Sequence, residues 1–273
     1  MVSREWIKDA LTRHKTVLVD DIDIAYQEFG SGDPLLMIMG YALSMDCWPY
    51  ELLQKLSISN RLILFDNRGM GHSQSSDKKY SIPLFACDTI GLLDKLGTGK
   101  VNFLGVSMGT YIAQEIALTH PEKVNKLILV SGSVGGKEAI PRTAQGLDAL
   151  TNRSGTPEEK MKRLCMAMFP LEWLQQHPDP FDSAPNPEDR ISRQFQAIAN
   201  WAGSFHRLDK LNCPTLIITG DSDLIVPGEN SMILARGIAN SWLIRIRQGG
   251  HGVIGQYPDL IAEEISLFLR AEC

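Results

Sequence analysis

The chain has 273 residues, of which 44% are hydrophobic and 22% are charged, so it can bury a core without disulfides or a bound metal. This composition excludes disorder, collagen and coiled coil as descriptions of the whole chain. The 27 basic and 32 acidic side chains give a net charge of −5, which argues against a dedicated nucleic-acid-binding protein. The length fits one α/β domain that carries an insertion.

The cysteines and the N-terminal segment indicate a cytoplasmic protein. The cysteine count is odd and no CxxC pair occurs, which favours reduced thiols: Cys47, Cys87, Cys165, Cys213 and Cys273. The first 15 residues carry charges throughout and lack the apolar segment of a signal peptide. The longest apolar runs, such as Leu35–Met39, are far shorter than the roughly 20 residues of a membrane-spanning helix. We therefore expect no membrane span.

In the first half of the chain, short β-branched runs alternate with helical patterns. The runs predict strands at Ile22–Phe29, Leu35–Met39, Arg61–Phe65, Val101–Val106 and Val124–Val130. Apolar spacing predicts helices at Ile82–Leu96 and Thr110–Leu118. This alternation predicts an α/β fold with a mostly parallel sheet and helices on both faces.

The alternation stops at about residue 133 and resumes after about residue 206. Between them we find helical segments, several prolines and many large apolar residues: Met161, Met166, Met168, Phe169, Trp173, Phe181, Phe195, Trp201 and Phe205. Afterwards we predict strands at Thr215–Thr219 and Trp242–Ile246 and helices at Gly228–Ile238 and Ile254–Arg270. The expected organisation is a core of residues 1–132 and 207–273 with a helical cap of residues 133–206 inserted into it.

A G-x-S-x-G sequence lies between the predicted strand that ends at residue 106 and the helix that follows. It reads Gly105-Val106-Ser107-Met108-Gly109. A serine on a sharp strand-to-helix turn has strained backbone and needs small residues two positions before and after it. Such a turn exposes the hydroxyl above the sheet and points the helix N-terminus towards it. A chance match is the alternative, but the strand and helix on either side favour a nucleophilic serine.

A serine nucleophile needs a base, and one histidine is well placed for that role. His251 follows the predicted last strand in a glycine-rich loop, which can present its imidazole over the carboxyl edge of the sheet. An exposed loop histidine is the alternative interpretation. The chain has six histidines: His14, His72, His120, His177, His206 and His251. Of the others, His177 and His206 lie in or beside the insertion and could contact a substrate.

The base needs an acid that orients it, and two carboxylates follow the predicted strand at Thr215–Thr219. Asp221 is nearer the end of the strand, whereas Asp223 lies two residues further on, inside the turn before Pro227. We favour Asp223. The alternative is that it only caps a helix or closes an Asx turn.

The order Ser107, Asp223, His251 resembles that of the α/β-hydrolase fold superfamily. The resemblance extends from about Ile22 to about Arg270, apart from the cap. It implies that Ser107 is the nucleophile, His251 the base and Asp223 its orienting acid. The segment from residue 65 to residue 73, FDNRGMGHS, is also similar to a D-x-R-G-x-G-x-S segment of this superfamily. There the resemblance implies a structural role, in which Asp66 and Arg68 tie a tight turn beside the active site.

One segment departs from the common pattern of the superfamily. Many relatives carry His-Gly after the second predicted strand, whereas this chain has Met39-Gly40-Tyr41. The resemblance implies that the backbone N–H groups of Tyr41 and Met108 form the oxyanion hole. A backbone N–H remains available as a donor when the preceding side chain is different. The side chains of Tyr41 and Trp48 could equally be ordinary aromatic residues of the pocket or core.

The resemblance and the serine at position 107 together predict the hydrolysis of a small carboxylic ester or lactone through an acyl-enzyme. Relatives with aspartate at this position act on epoxides or halides, so those reactions are disfavoured. A C–C bond hydrolase, a thioesterase and a cofactor-free perhydrolase would use the same three residues and stay open. A ligand receptor on a hydrolase scaffold is a further alternative. The sequence implies no organic cofactor and no metal, because Cys and His lack ligand spacing. It does not indicate the oligomeric state.

The cap is the predicted determinant of substrate choice. Its Met, Phe and Trp side chains suggest an apolar site for an acyl or alcohol group. The alternative is that they only pack the cap onto the core.

Overall fold

A single twisted sheet organises the computed structural model, which describes residues 2–178, 180 and 186–272. Its eight strands follow the order β1-β2-β4-β3-β5-β6-β7-β8. Strand β2 is antiparallel to both neighbours, and all other pairs are parallel. The strands are β1 Lys15–Val19, β2 Ile22–Gly30, β3 Asp33–Ile38, β4 Asn60–Phe65, β5 Val101–Val106, β6 Val124–Val130, β7 Thr215–Gly220 and β8 Ser241–Ile246.

Helices cover both faces of the sheet. They are α1 Arg4–Thr12, α2 Tyr50–Leu56, α3 Ile82–Lys95, α4 Met108–Thr119, α5 Ala144–Thr151, α6 Pro157–Met168, α7 Leu171–Gln176, α8 Glu188–Ala199, α9 Glu229–Gly237, α10 Val253–Gln256 and α11 Pro258–Arg270. One apolar cluster packs α3, α4 and α9 against the sheet. A second packs α1, α2, α10 and α11 against the opposite face. The predicted fold class is therefore confirmed.

The central strands are buried on both faces, which explains their unbroken apolar sequence. Every residue of β5 and of β7 is buried, as expected for parallel strands covered by helices on each side. The strands predicted at Val101–Val106 and Val124–Val130 have the same bounds in the structure. None of the helices in the described part combines the length and apolarity that a bilayer crossing requires.

Three elements near the N-terminus were not predicted: α1, β1 and α2. Helix α1 buries only Ile7, Ala10 and Leu11 among its nine residues, so its charged face conceals the helical pattern. Strand β1 lies at the edge of the sheet and buries only Val19, which removes the clear alternation of a half-buried strand.

The last predicted helix is two helices, and this prediction was wrong. The chain leaves α10 at Tyr257, and Pro258 begins α11. Proline is tolerated in the first turn of a helix, where an N–H has no partner, but it breaks a helix that arrives from the N-terminal side.

Between β6 and β7, the described residues form the helices α5 to α8 and no strand, as expected for this segment. The boundaries of a separate cap at residues 133 and 206 stay a prediction. Phe181 and Cys273 lie outside the described residues.

Candidate active site

Ser107 occupies a sharp turn between β5 and α4. Its backbone has φ 52° and ψ −117°, a conformation that residues other than glycine rarely adopt. The amide of Ser107 donates to the Val130 carbonyl of the neighbouring strand, and its own carbonyl accepts from the amide and hydroxyl of Thr110. These bonds hold the strained turn in place, so the side chain projects above the carboxyl edge of the sheet.

The two glycines of the motif permit this turn because backbone passes where a side chain would lie. A Cβ on Gly105 would come within 2.4 Å of the Gly109 carbonyl oxygen. A Cβ on Gly109 would come within 2.2 Å of the Ile38 carbonyl oxygen on β3. Both distances are far below van der Waals contact, so only glycine fits at these two positions. Without side chains there, α4 can pack close to the sheet.

The structure brings Ser107, His251 and Asp223 together in one chain of hydrogen bonds. The Nε2 atom of His251 lies 2.9 Å from the Ser107 hydroxyl oxygen. The Nδ1 atom of His251 lies 2.8 Å from Oδ2 of Asp223. The other carboxylate oxygen accepts from the amides of Ile225 and Val226, at 2.8 and 2.7 Å. His251 and Asp223 are both buried, which protects the pair from competition by water.

The loops after β7 and β8 are clasped together, and this contact positions the acid and the base. The Ser222 amide donates to the Gly249 carbonyl at 2.9 Å, and a Cβ on Gly220 would lie 2.0 Å from the same oxygen. Asp221 lies on the surface, where its carboxylate accepts from the Gln248 amide at 2.7 Å. Asp221 therefore fastens the loop that carries His251, while Asp223 faces the imidazole.

Two backbone amides without a partner among the described residues belong to chain segments next to Ser107. The amides of Tyr41 and Met108 donate to no acceptor in the described part of the chain. Gly40 passes so close to the serine that a Cβ there would be 3.2 Å from Ser107 Cβ and 3.8 Å from its hydroxyl oxygen. An oxygen atom bound between the serine and these amides could therefore accept from both.

The segment that carries Tyr41 is held by side chains that the sequence did not suggest. Ala42 has φ 63°, and its amide donates to Oε1 of the buried Gln194 in α8 at 2.8 Å. Asn67 donates to the Met39 carbonyl at 3.2 Å. No local motif marks Gln194, because it reaches this loop from 152 residues further along the chain.

The segment that follows β4 contributes two buried charged side chains that hold the neighbouring loops. Asp66 accepts from the amides of Met45 and His72 at 2.7 and 2.8 Å, and burial raises its pKa to about 6. Arg68 is fully buried and donates twice to Asp88, at 2.6 and 2.8 Å. Neither side chain is among those that line the cavity above the serine, so the geometry agrees with the expected structural role.

A cavity of about 820 Å³ opens above the serine. Ser107, Met108 and His251 line it, and side chains of the helices between β6 and β7 form much of its wall. Apolar members of that wall are Ala149, Leu150, Met161, Leu164, Met168, Phe169, Trp173, Ile191 and Ile198. Tyr41 and the buried Trp48 both line the cavity, and Trp48 Nε1 has no hydrogen-bond partner in the described residues.

The remaining histidines lie apart from the serine. His14 stacks on His72, His120 contacts Thr119, and His206 contacts Glu138. His177 lines the cavity and stacks on Trp173, with ring centroids 4.2 Å apart. Within residues 2–178, 180 and 186–272, no three His, Cys, Asp or Glu side chains are grouped as metal ligands would be.

Curated relatives of this chain include hydrolases of different substrates. The chain is 28% identical over 263 residues to a 2-hydroxy-6-oxononadienedioate/2-hydroxy-6-oxononatrienedioate hydrolase of Pseudomonas putida, covering 91% of this chain and 92% of the relative. It is 28% identical over 248 residues to a poly(3-hydroxyalkanoate) depolymerase of Ectopseudomonas oleovorans, covering 88% of this chain and 85% of the relative.

Solved structures agree with this relationship. A thermophilic esterase from Thermogutta terrifontis superposes with a TM-score of 0.80 at 25% identity, covering 94% of this chain and 98% of the esterase. The sequence profile of the alpha/beta hydrolase fold matches residues 33–256, which span the strands from β3 to β8 and the serine turn. The chain therefore belongs to the alpha/beta hydrolase fold family, and it is a hydrolase.

Proposed function

We propose that this hydrolase cleaves carboxylic esters or lactones by nucleophilic catalysis at Ser107. The supporting observation is the unbroken chain of hydrogen bonds from Asp223 through His251 to the Ser107 hydroxyl. A buried carboxylate on one ring nitrogen leaves the other nitrogen to accept the serine proton. Ser107 is also the one serine or threonine among the described residues that line the cavity.

In the first half of the reaction, the Ser107 oxygen attacks the carbonyl carbon while His251 takes the serine proton. The carbonyl oxygen becomes an oxyanion, and the amides of Tyr41 and Met108 donate to it. Such donors are worth roughly 10²–10³-fold in turnover each in a known serine protease. Asp223 stabilises the imidazolium and fixes the ring tautomer. The protonated His251 then gives its proton to the leaving alkoxide, and the C–O bond breaks.

In the second half, a water molecule attacks the acyl-enzyme. His251 accepts a proton from this water, the oxyanion forms again, and collapse returns the proton to the Ser107 oxygen. The carboxylic acid product then leaves through the cavity. The largely apolar wall favours esters with a hydrocarbon portion.

Hydrolysis of a C–C bond is a second candidate, because the Pseudomonas putida relative is named as a hydrolase of a keto dienedioate. The two reactions differ in the bond that breaks, so substrates separate them. An esterase should turn over p-nitrophenyl esters and lactones faster than a vinylogous diketone of the meta-cleavage type. A C–C hydrolase should show the opposite preference.

The decisive variant is Ser107→Ala. It removes the nucleophile, so we expect kcat for a p-nitrophenyl ester to fall by at least ~10³-fold. A non-cleaved ester analogue should still bind with near wild-type Kd, as measured by calorimetry. Ser222→Ala is the matched control, because this serine is exposed, its hydroxyl contacts only Asp221 among the described residues, and its backbone bond to Gly249 is kept. Near wild-type esterase activity in Ser107→Ala would exclude the proposed mechanism.

A further inference from the structure

The charged side chains around the cavity are not evenly paired. Among the described residues, three acidic side chains line it, and each has a basic residue beside it. Glu51 faces Arg4 at 4.0 Å, Glu188 binds Lys160 at 2.5 Å, and Asp46 faces His72 at 3.9 Å. Two arginines of the lining, Arg142 and Arg153, have no carboxylate within ion-pair distance in the described parts of the chain.

Arg142 carries the clearest sign of an unmet interaction. It precedes α5 and lines the cavity. Its Nε atom is buried and has no hydrogen-bond partner among residues 2–178, 180 and 186–272. Arg142 as a whole is half-buried, so this one N–H is the part of its guanidinium that is withdrawn from water, and a buried donor without an acceptor costs free energy that a bound anion would recover. The side chain is therefore poised for an anion that enters the cavity.

Arg153 and Arg142 act on the same neighbour, the phenol of Tyr41. Arg153 donates to the Tyr41 hydroxyl oxygen at 2.7 Å. Burial raises the pKa of Tyr41, and the positive charges of Arg153 and Arg142 both oppose that rise. The phenol accepts from Arg153, so its own hydrogen is directed elsewhere, and no described residue accepts it. Two guanidinium groups and one hydroxyl donor thus line the same cavity, and the hydroxyl is in direct contact with one of the guanidinium groups.

Tyr41 connects these donors to the reacting serine. The main chain at Tyr41 supplies one of the proposed oxyanion donors, and its side chain extends from there towards Phe195 of α8, with ring centroids 6.0 Å apart. A substrate whose carbonyl lies at Ser107 can therefore place another group against the donors that surround the Tyr41 hydroxyl. Arginine forks match the two oxygens of a carboxylate, and such charge-assisted bonds are stronger than neutral ones.

We propose that the substrate is an ester or lactone with a second, free carboxylate, which binds to Arg142, Arg153 and the Tyr41 hydroxyl. This inference rests on the proposed function and specifies its substrate class. The apolar wall then holds the hydrocarbon chain between the two carbonyl groups, and the arginines select for its charged end.

Paired substrates test the proposal. We would measure kcat/KM for the monomethyl esters of the dicarboxylic acids from succinic to suberic acid, and for the methyl esters of the monocarboxylic acids of equal chain length. Acetate esters of ω-hydroxy acids place the carboxylate on the alcohol side. At least one carboxylate substrate should exceed its neutral partner by roughly tenfold or more, the range expected for hydrogen bonds to a charged group. Uniform preference for the neutral partners would overturn the proposal.

Variants at position 142 assign the preference to these donors. Arg142→Met keeps the aliphatic stem and should lower the carboxylate-to-neutral ratio by roughly tenfold, and Arg142→Glu should reverse the preference. Reversal cannot result from partial unfolding. Lys162→Met removes an equal charge from an exposed position of α6 that does not line the cavity, and it should leave the ratio unchanged. An unchanged carboxylate-to-neutral ratio in both Arg142 variants would contradict the assignment.

A binding measurement separates this inference from the proposed mechanism. In Ser107→Ala, calorimetry with an intact half-ester reports binding without turnover. Adding the Arg142→Met substitution to Ser107→Ala should weaken this binding by roughly tenfold, and a higher salt concentration should weaken it too. If esters are cleaved with Ser107 but no carboxylate is preferred, only the substrate assignment fails. If no ester is cleaved but half-esters bind through Arg142, only the proposed reaction fails.

Discussion

At the scale of single residues, the site depends on which of two nearby carboxylates faces the imidazole. Asp223 lies 2.8 Å from His251 Nδ1 and is fixed by two backbone amides. Asp221 is exposed and fastens the loop of His251 from outside through the Gln248 amide. The turn between them places the two carboxylates in different environments, so the same substitution should have very different consequences at the two positions.

We expect Asp223→Asn to lower kcat by roughly 10³–10⁴-fold, as the same change does in a known serine protease. Its Oδ1 can still accept from Ile225 and Val226, but its amide nitrogen would donate towards His251 Nδ1 and favour the wrong tautomer. Asp221→Asn is the matched control and should keep turnover close to wild type, because an amide oxygen can still accept from Gln248. Steady-state kinetics with one ester measures both. Equal losses in the two variants would contradict the assignment of the acid.

At the scale of elements, the segment between β6 and β7 is joined to the core at its C-terminal end by a polar cluster on α4. The buried Glu115 accepts from Trp201 Nε1 at 3.1 Å and from both terminal nitrogens of Arg207 at 3.1 and 2.9 Å. The Trp201 ring stacks on Tyr111 of the same helix, with centroids 4.8 Å apart. Burial raises the pKa of Glu115, but the bonds from Arg207 and Trp201 outweigh it, and the pKa is lowered overall.

Glu115→Gln should therefore destabilise the protein by about 1–3 kcal/mol, because it removes the charge that Arg207 faces and leaves one buried donor without a good acceptor. Chemical denaturation monitored by tryptophan fluorescence measures the change. Glu122→Gln, an exposed position just after the same helix, is the control and should alter stability by less than about 0.5 kcal/mol. An unchanged denaturation midpoint in Glu115→Gln would show that this cluster does not hold the segment to the core.

At the scale of the whole molecule, helices cover both faces of the sheet. A titratable group that folding buries changes the free energy of unfolding of the entire protein. Asp66 is fully buried just after β4, where burial raises its pKa to about 6, above the ordinary aspartate value of 3.8. The amides of His72 and Met45 oppose this rise, and the charge of Asp46 adds to it. The folded protein therefore binds a proton at Asp66 more tightly than the unfolded chain does.

The contribution of this carboxyl to stability should be complete below pH about 3.8 and should be lost as the pH rises through about 6. The loss amounts to about 3 kcal/mol by linkage. In Asp66→Asn this titration is absent, so the variant should gain stability relative to wild type between pH 4 and 7 by about that amount. Denaturant titrations of both proteins across this range measure the difference. A difference that stays constant with pH would contradict a raised pKa at Asp66.

Much of the fold could be predicted from sequence because its central strands carry continuous apolar runs and end in recognisable turns. The strands at Val101–Val106 and Val124–Val130 are examples. Elements with little buried surface, such as β1, escaped prediction because their pattern is set by neighbours. The interruption at Tyr257 was likewise missed, although Pro258 marks it directly.

The sequence by itself determined the α/β class and indicated three short segments after strands, which carry Ser107, the two candidates Asp221 and Asp223, and His251. It could do so because strained turns need glycine nearby, and because the carboxyl ends of parallel strands meet at one edge of a sheet. Only the tertiary structure decided which aspartate faces the imidazole, that Gln194 holds the loop of Tyr41, and that Arg142 and Arg153 line the same cavity. These contacts join residues that are far apart in the chain, and no local sequence pattern indicates which distant residues will be in contact.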